Sequence, residues 1–208
     1  MLAQVRSMPL GGGYAATREA NTALAAAVRL ESDGVVIDAG KAKPSYCSGA
    51  TYLVFLKTLA AAQKAGFWRA PAGDLWKRLV PKSTPDELRL GKNFTTWDEA
   101  RPGDFLKIFW TNAVGKKERG HLVVFLGRES VEGVECVRFW SSNIPGGYGE
   151  KSVPKSRIAH ALFSRLEIPG NIINANTMPK TDAYLASLLT KESSFAEALE
   201  KSGVNALE

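Results

Sequence analysis

Two scarcities frame the chain. Its 208 residues include only two cysteines, Cys47 and Cys136, and only two histidines, His121 and His160. That is too little cysteine for a disulfide scaffold. A Cys/His zinc centre would need all four residues, at a spacing that matches no zinc-finger pattern. No Cys/His zinc centre is therefore expected, while a single Cys47–Cys136 disulfide stays open for an exported chain. No run approaches the roughly 18 apolar residues of a membrane helix, so no integral membrane segment is expected. No opening stretch joins a basic end, an apolar core and a small-residue cleavage site. The chain then either stays in the cytoplasm or is a mature, exported form. Internal repeats and low-complexity tracts are absent as well.

What is present is ordinary for a globular protein: 45% hydrophobic and 23% charged residues, which argue against a fibre, a coiled coil or a disordered tail. The length suits one domain over 1–208, large enough to bury a core. The net charge of +6 and pI of about 9.3 suit anionic surroundings. No nucleic-acid-binding motif accompanies them, so nucleic acid is not expected as a partner. The one basic knot is Lys116, Lys117 and Arg119. It reads either as a solvated loop or as a lure for carboxylates.

Along the chain, residues 1–13 read as an irregular arm. Helical spacing runs from Ala15 to Glu31 until Asp33-Gly34 stops it. Ser45 is placed to cap a helix that runs to Lys64 and ends at Gly66. Residues 67–94 form an aromatic-rich insertion with a short helix around Leu75–Leu79. Three strands are predicted in close order: Asp104–Trp110, His121–Leu126 and Val134–Ser142. Their short links imply an antiparallel meander. Ile158–Leu166 fits either a helix or a strand, and residues 181–201 read as a C-terminal helix. The class is α+β.

Chemistry concentrates at Cys47, at the expected start of its helix. A helix N-terminus offers free N–H groups and a positive dipole end, which favour the thiolate. Small or polar neighbours, Ser45, Ser48 and Gly49, let a carbonyl approach that backbone. His121 opens an apolar strand directly after a glycine, where its ring can face a cleft and serve as general base and acid. Ser141 and Asn143 lie on one side of the third strand, and Asn143 offers the stronger acceptor to orient an imidazole. Asn143 also suits the turn that follows it. Trp140 either walls a site or fills the core; Tyr148 either lines a cleft or packs on the sheet edge. His160 reads as structural or surface.

The stretches YCSGATYLVFL, RPGDFLKIFW and GHLVVFLG, followed by a polar strand end, resemble the NlpC-like and CHAP-like branch of papain-fold cysteine hydrolases. The resemblance covers about Lys43–Gly149. It implies an N-terminal nucleophile helix packed on a central antiparallel sheet. It also implies Cys47 as nucleophile, His121 as base and Asn143 as its orienting partner. Tyr46, Ser48, Trp140, Ser141 and Tyr148 then fall to substrate binding. The expected reaction is hydrolysis of an amide in a peptide or peptidoglycan fragment, which needs no metal or organic cofactor and implies a periplasmic or extracellular setting. Three features depart from the family pattern. Tyr46 stands where an acidic residue is usual, the usual third histidine is absent, and the 67–94 insertion is atypical. Protein deamidation, acyl transfer, or a binding role on a decayed hydrolase fold are the alternatives.

Overall fold

The computed structural model describes residues 1–31, 34–69, 90–177 and 182–204. Its centre is a seven-stranded sheet, antiparallel at every pairing. In chain order the strands are β1 (Gly11–Gly12), β4 (Gly91–Phe94), β5 (Phe105–Phe109), β7 (Gly120–Val131), β8 (Val134–Asn143), β9 (Gly147–Pro154) and β10 (His160–Leu166). They lie in the order β1-β9-β8-β7-β5-β10-β4, so the expected meander is its middle. The β7–β8 hairpin closes through Glu132 and Gly133, with φ of 51° and 79°. Positive φ at both central residues is what a tight two-residue hairpin turn requires.

The helix α3 (Cys47–Lys64) packs on one face of this sheet. Leu53, Leu56 and Leu59 are fully buried against Val124, Trp140 and Tyr148. Each such leucine stabilises the fold by about 1.5–3 kcal/mol relative to its exposed state. Gly66, at φ +82°, turns the chain away after the last turn, as its position suggested. The other face carries a second cluster, Leu106, Ile108, Val123, Phe125, Phe139 and Phe163, with Trp97 packed edge-on to Phe163 at 5.1 Å. The Pro102-Gly103-Asp104 turn has a structural explanation. Asp104 is 4% exposed, and its carboxylate accepts from the Arg101 backbone at 2.7 Å and from Arg165 of β10 at 2.9 and 2.7 Å.

Several expectations need correction. The opening arm is not irregular: it holds the helix α1 (Leu2–Arg6), and β1 pairs with Tyr148 and Gly147 of β9. The helix after it, α2 (Arg18–Ala26), starts at the cap Thr17 and is shorter than its spacing suggested. Val28–Leu30 instead forms β2, paired with β3 (Val35–Ile37) in a small hairpin. Here β-branched Val28 and a near turn outweigh helical periodicity. The 67–94 segment ends on β4, and its Trp68 indole donates to the Leu59 carbonyl at 3.1 Å. The short helix expected at Leu75–Leu79 lies outside the described residues. The expected Ile158–Leu166 element is strand β10, which begins at His160. The C-terminal helix is two: α4 (Ala183–Ser187) and α5 (Phe195–Lys201). Between them β11 (Glu192–Ser193) pairs with β6 (Val114–Gly115). Asp182 and Ser194 each cap a helix through their side chains, and such residues start helices rather than continue them. Among the described residues no helix is long and apolar enough to cross a membrane.

Candidate active site

Cys47 is the first residue of α3. Ser45 does not cap that helix. Its hydroxyl donates to Ser142 of β8 at 2.8 Å, and the capping position falls to Tyr46, which makes no side-chain cap bond. The first-turn N–H groups therefore carry no side-chain acceptor and face whatever charge forms at Cys47. On the sheet, Val124 pairs with Trp140. Three residues further along each antiparallel strand, His121 and Asn143 come side by side, and His121 Nε2 lies 3.1 Å from Asn143 Oδ1.

The hydrogen bonds around Asn143 decide the imidazole's tautomer. Asn143 Nδ2 donates to the Gly149 carbonyl at 2.9 Å and to the Ser141 carbonyl at 3.3 Å. Its Oδ1 therefore faces His121, and Nε2–H is the donor of that pair. Nδ1 is left with its lone pair, and the interaction of His121 with the Cys47 thiol favours the thiolate. The ring is steadied edge-on by Phe139, 5.7 Å away.

Burial raises the Cys47 pKa. The His121 bond, the Leu122 N–H, the imidazole charge and the Lys107 ammonium outweigh burial and bring the thiol down to about 7. Lys107, on β5, is itself paired with Glu118. Ser141 is fully buried and donates to the Leu122 carbonyl at 2.7 Å, so it steadies the strand just after His121.

Tyr14 is the site residue that the sequence reading missed. Its pKa is raised by burial and then by its interaction with Cys47, which places the phenol beside the thiol. The arm delivers it. After β1, Ser45 N–H donates to Gly13 O at 3.2 Å and Ala15 N–H to Ser45 O at 2.9 Å. Gly147 allows the close approach. A Cβ there would stand 2.6 Å from Gly11 O and 2.7 Å from Gly13 N, and its φ is +86°. The available signal was three successive glycines ahead of an aromatic residue.

The proposed substrate-binding residues divide. Tyr46 is half-buried at the site; its hydroxyl donates to Asn21, and burial followed by the Cys47 charge raises its pKa. Ser48 is exposed in the first turn. Trp140 and Tyr148 are core residues, 3% exposed each and stacked at 5.7 Å, with the Tyr148 hydroxyl donating to the Ala42 carbonyl at 2.9 Å. Together with Ser141 they are corrected from ligand contacts to supports. The alternation of β8 and β9 turns the two aromatic rings toward α3. A groove of about 260 Å³ that opens on the imidazole is lined instead by Tyr14, His121, Asn143, Trp110, Lys151 and Arg157, among others. The basic knot is elsewhere: Lys117 pairs with Glu192 at 2.7 Å. His160 stacks on Phe195 at 4.0 Å.

Both cysteines are free thiols. Cys136 is buried seven residues from Asn143 on β8. That is about 24 Å of strand from the site, far beyond disulfide reach. Among the described residues no cluster of three or more His, Cys, Asp or Glu could hold a metal ion.

No family model, curated protein or solved structure matches this chain. The chemistry thus rests on the geometry. A thiol of lowered pKa is joined to an imidazole of fixed tautomer, beside a phenol and a helix start. It can form a nucleophile, shuttle a proton and stabilise a nearby oxyanion.

Proposed function

We propose that the protein is a cysteine-dependent amide hydrolase of papain-like architecture. Cys47 is its nucleophile, His121 its general base and acid, and Asn143 the residue that orients the imidazole. The single observation that carries this reading is a Cys47 thiol whose pKa His121 helps to lower, with that imidazole held in turn by Asn143, whose own donors are taken by two carbonyls.

In the first step the Cys47 sulfur bonds to the amide carbon and the carbonyl π pair moves to oxygen. The backbone N–H of Cys47 and the Tyr14 hydroxyl donate to that oxyanion. Collapse breaks the C–N bond, and the amine leaves with the proton carried by His121. Water then attacks the thioester as His121 takes its proton. The acid departs, and the thiolate–imidazolium pair is restored. The substrate class we propose is a peptide of the bacterial cell wall, on the strength of the YCSG, PGD and GHLVVF segments and their spacing. Such a substrate implies work outside the cytoplasm. Deamidation or acyl transfer would pass through the same thioester and differ only in substrate or acceptor.

The test is digestion of purified cell-wall fragments, with products read by mass. New free amines should appear with the wild-type chain and vanish with Cys47→Ser, whose fold is intact by circular dichroism. Hydrolysis that survives the serine variant would refute the nucleophile assignment.

A further inference from the structure

Resting on that reading, we infer that the leaving group of the substrate carries a carboxylate, and that Lys151 and Arg157 bind it. His121 must hand its proton to the departing amine, so the leaving group has to lie on the imidazole's side of the thiol. That side is the groove lined by His121, Asn143, Trp110 and Phe139. Among the described residues the cations that line the groove are Lys151 and Arg157, and no aspartate or glutamate lines it.

The two cations differ from several others in the chain. Lys107 is paired with Glu118, Lys117 with Glu192, Lys155 with Glu135 and Arg128 with Asp98. Among the described residues neither Lys151 nor Arg157 has an ion-pair or side-chain hydrogen-bond partner. Two like charges left uncompensated over one groove repel each other and favour an anion between them. A guanidinium beside an ammonium suits a carboxylate, with Arg157 supplying paired donors and Lys151 a point charge.

Trp110 and Phe139 give the same groove apolar surface for a carbon skeleton. Its volume of about 260 Å³ falls just under the roughly 300–1,000 Å³ of drug-sized ligand sites. It therefore suits one amino-acid-sized leaving group rather than a long chain. The carboxylate is either the α-carboxylate of a terminal amino acid or that of an acidic side chain.

Three thiol reagents test this while the natural substrate is still unidentified, because each extends an amide and its N-substituent from the carbon that the sulfur attacks, one bond further out than the leaving amine. N-Iodoacetyl-glycine carries an α-carboxylate, N-iodoacetyl-glutamic acid α-amide a side-chain carboxylate, and N-iodoacetyl-glycinamide no charge. At least one anionic reagent should alkylate Cys47 about tenfold faster than the neutral one, the scale of one charge-assisted hydrogen bond. Which one is faster names the source of the carboxylate. The preference should disappear in Lys151→Ala/Arg157→Ala, invert in Lys151→Glu/Arg157→Glu, and persist in Lys116→Ala, an exposed cation outside the groove. Equal rates for all three reagents, or a preference that survives the double alanine variant, would overturn the inference and leave the hydrolase reading standing. If no reagent labels Cys47 near neutral pH, the hydrolase reading fails and this inference falls with it.

Discussion

The ionisation of Cys47 offers the most direct quantitative test. Its pKa lies at about 7 instead of the ordinary 9.0, a difference of about 3 kcal/mol between the two protonation states. At pH 7 about half of Cys47 is thiolate, against about 1% of an unperturbed thiol. Raw rate alone would mislead, because a thiolate of lower pKa is a weaker nucleophile. With a Brønsted slope of about 0.4–0.5, two units cost about six- to tenfold in intrinsic reactivity. The net advantage at pH 7 is then only about five- to eightfold, whereas the midpoint of the pH–rate curve reports the full shift.

The assay is iodoacetamide alkylation from pH 5 to 10, read by peptide mass, in a Cys136→Ser background. The wild-type midpoint should fall near 7. In His121→Ala burial remains and the imidazole's bond and charge are lost, so the midpoint should rise to 9 or above. The folded pKa is below the unfolded one, so the thiolate's contribution to stability is present above about pH 9 and is lost as the pH falls through about 7. Urea unfolding of Cys47→Ser should therefore lack that pH dependence. A wild-type midpoint near 9, or one that His121→Ala leaves in place, would refute the proposed thiolate–imidazole couple.

Four further outcomes follow from the geometry. Tyr14→Phe keeps the ring and removes the donor, so turnover should fall about 10²–10³-fold with little change in melting temperature, as for loss of one oxyanion donor. Asn143→Asp is nearly isosteric, yet it sets a carboxylate against the Ser141 and Gly149 carbonyls with both donors gone. Urea denaturation should show a loss of about 1–3 kcal/mol, together with depressed turnover. Gly147→Ala should release the arm, raising hydrogen exchange at residues 11–15 and lowering turnover as Tyr14 leaves the thiol. Asp104→Asn leaves Arg165, whose side chain is 14% exposed, beside a neutral partner. Chemical unfolding should register a loss of about 3–5 kcal/mol, with Cys47 alkylation still centred near pH 7 in whatever fraction stays folded.

The parts of this site legible in the sequence are those set by local signals. The end of the Cys47 helix follows from Gly66, the strand that His121 opens from an apolar run after a glycine, and the strand leading to Asn143 from alternation over a few residues. Tyr14 was illegible because its position depends on an arm reaching across to the edge of β9, a contact between residues more than 130 apart. Lys107 became relevant only once β5 was known to lie beside β7. Trp140 and Tyr148 were misassigned because alternation tells which residues share a face, not which face the helix covers. The C-terminal helix failed for a different reason. Apolar spacing continued across Ser193-Ser194, and the capping preference of a serine outweighed it.

The identity of the third residue shapes the charge state of the whole site. A carboxylate at position 143 would stabilise imidazolium, but it would also add a negative charge near a thiolate that burial already disfavours. An amide orients the ring without that charge, and its own donors are occupied by backbone carbonyls, so it cannot turn around and present nitrogen. The positive charge that holds the thiolate then comes from the imidazole and from Lys107, set on two adjacent strands. Lys107 is partly neutralised by Glu118, which leaves the imidazole as the principal counter-charge. Proton transfer from sulfur to nitrogen therefore separates charge within one hydrogen-bonded pair and leaves the net charge of the site unchanged. This is why a thiol with so little solvent around it can ionise near neutral pH.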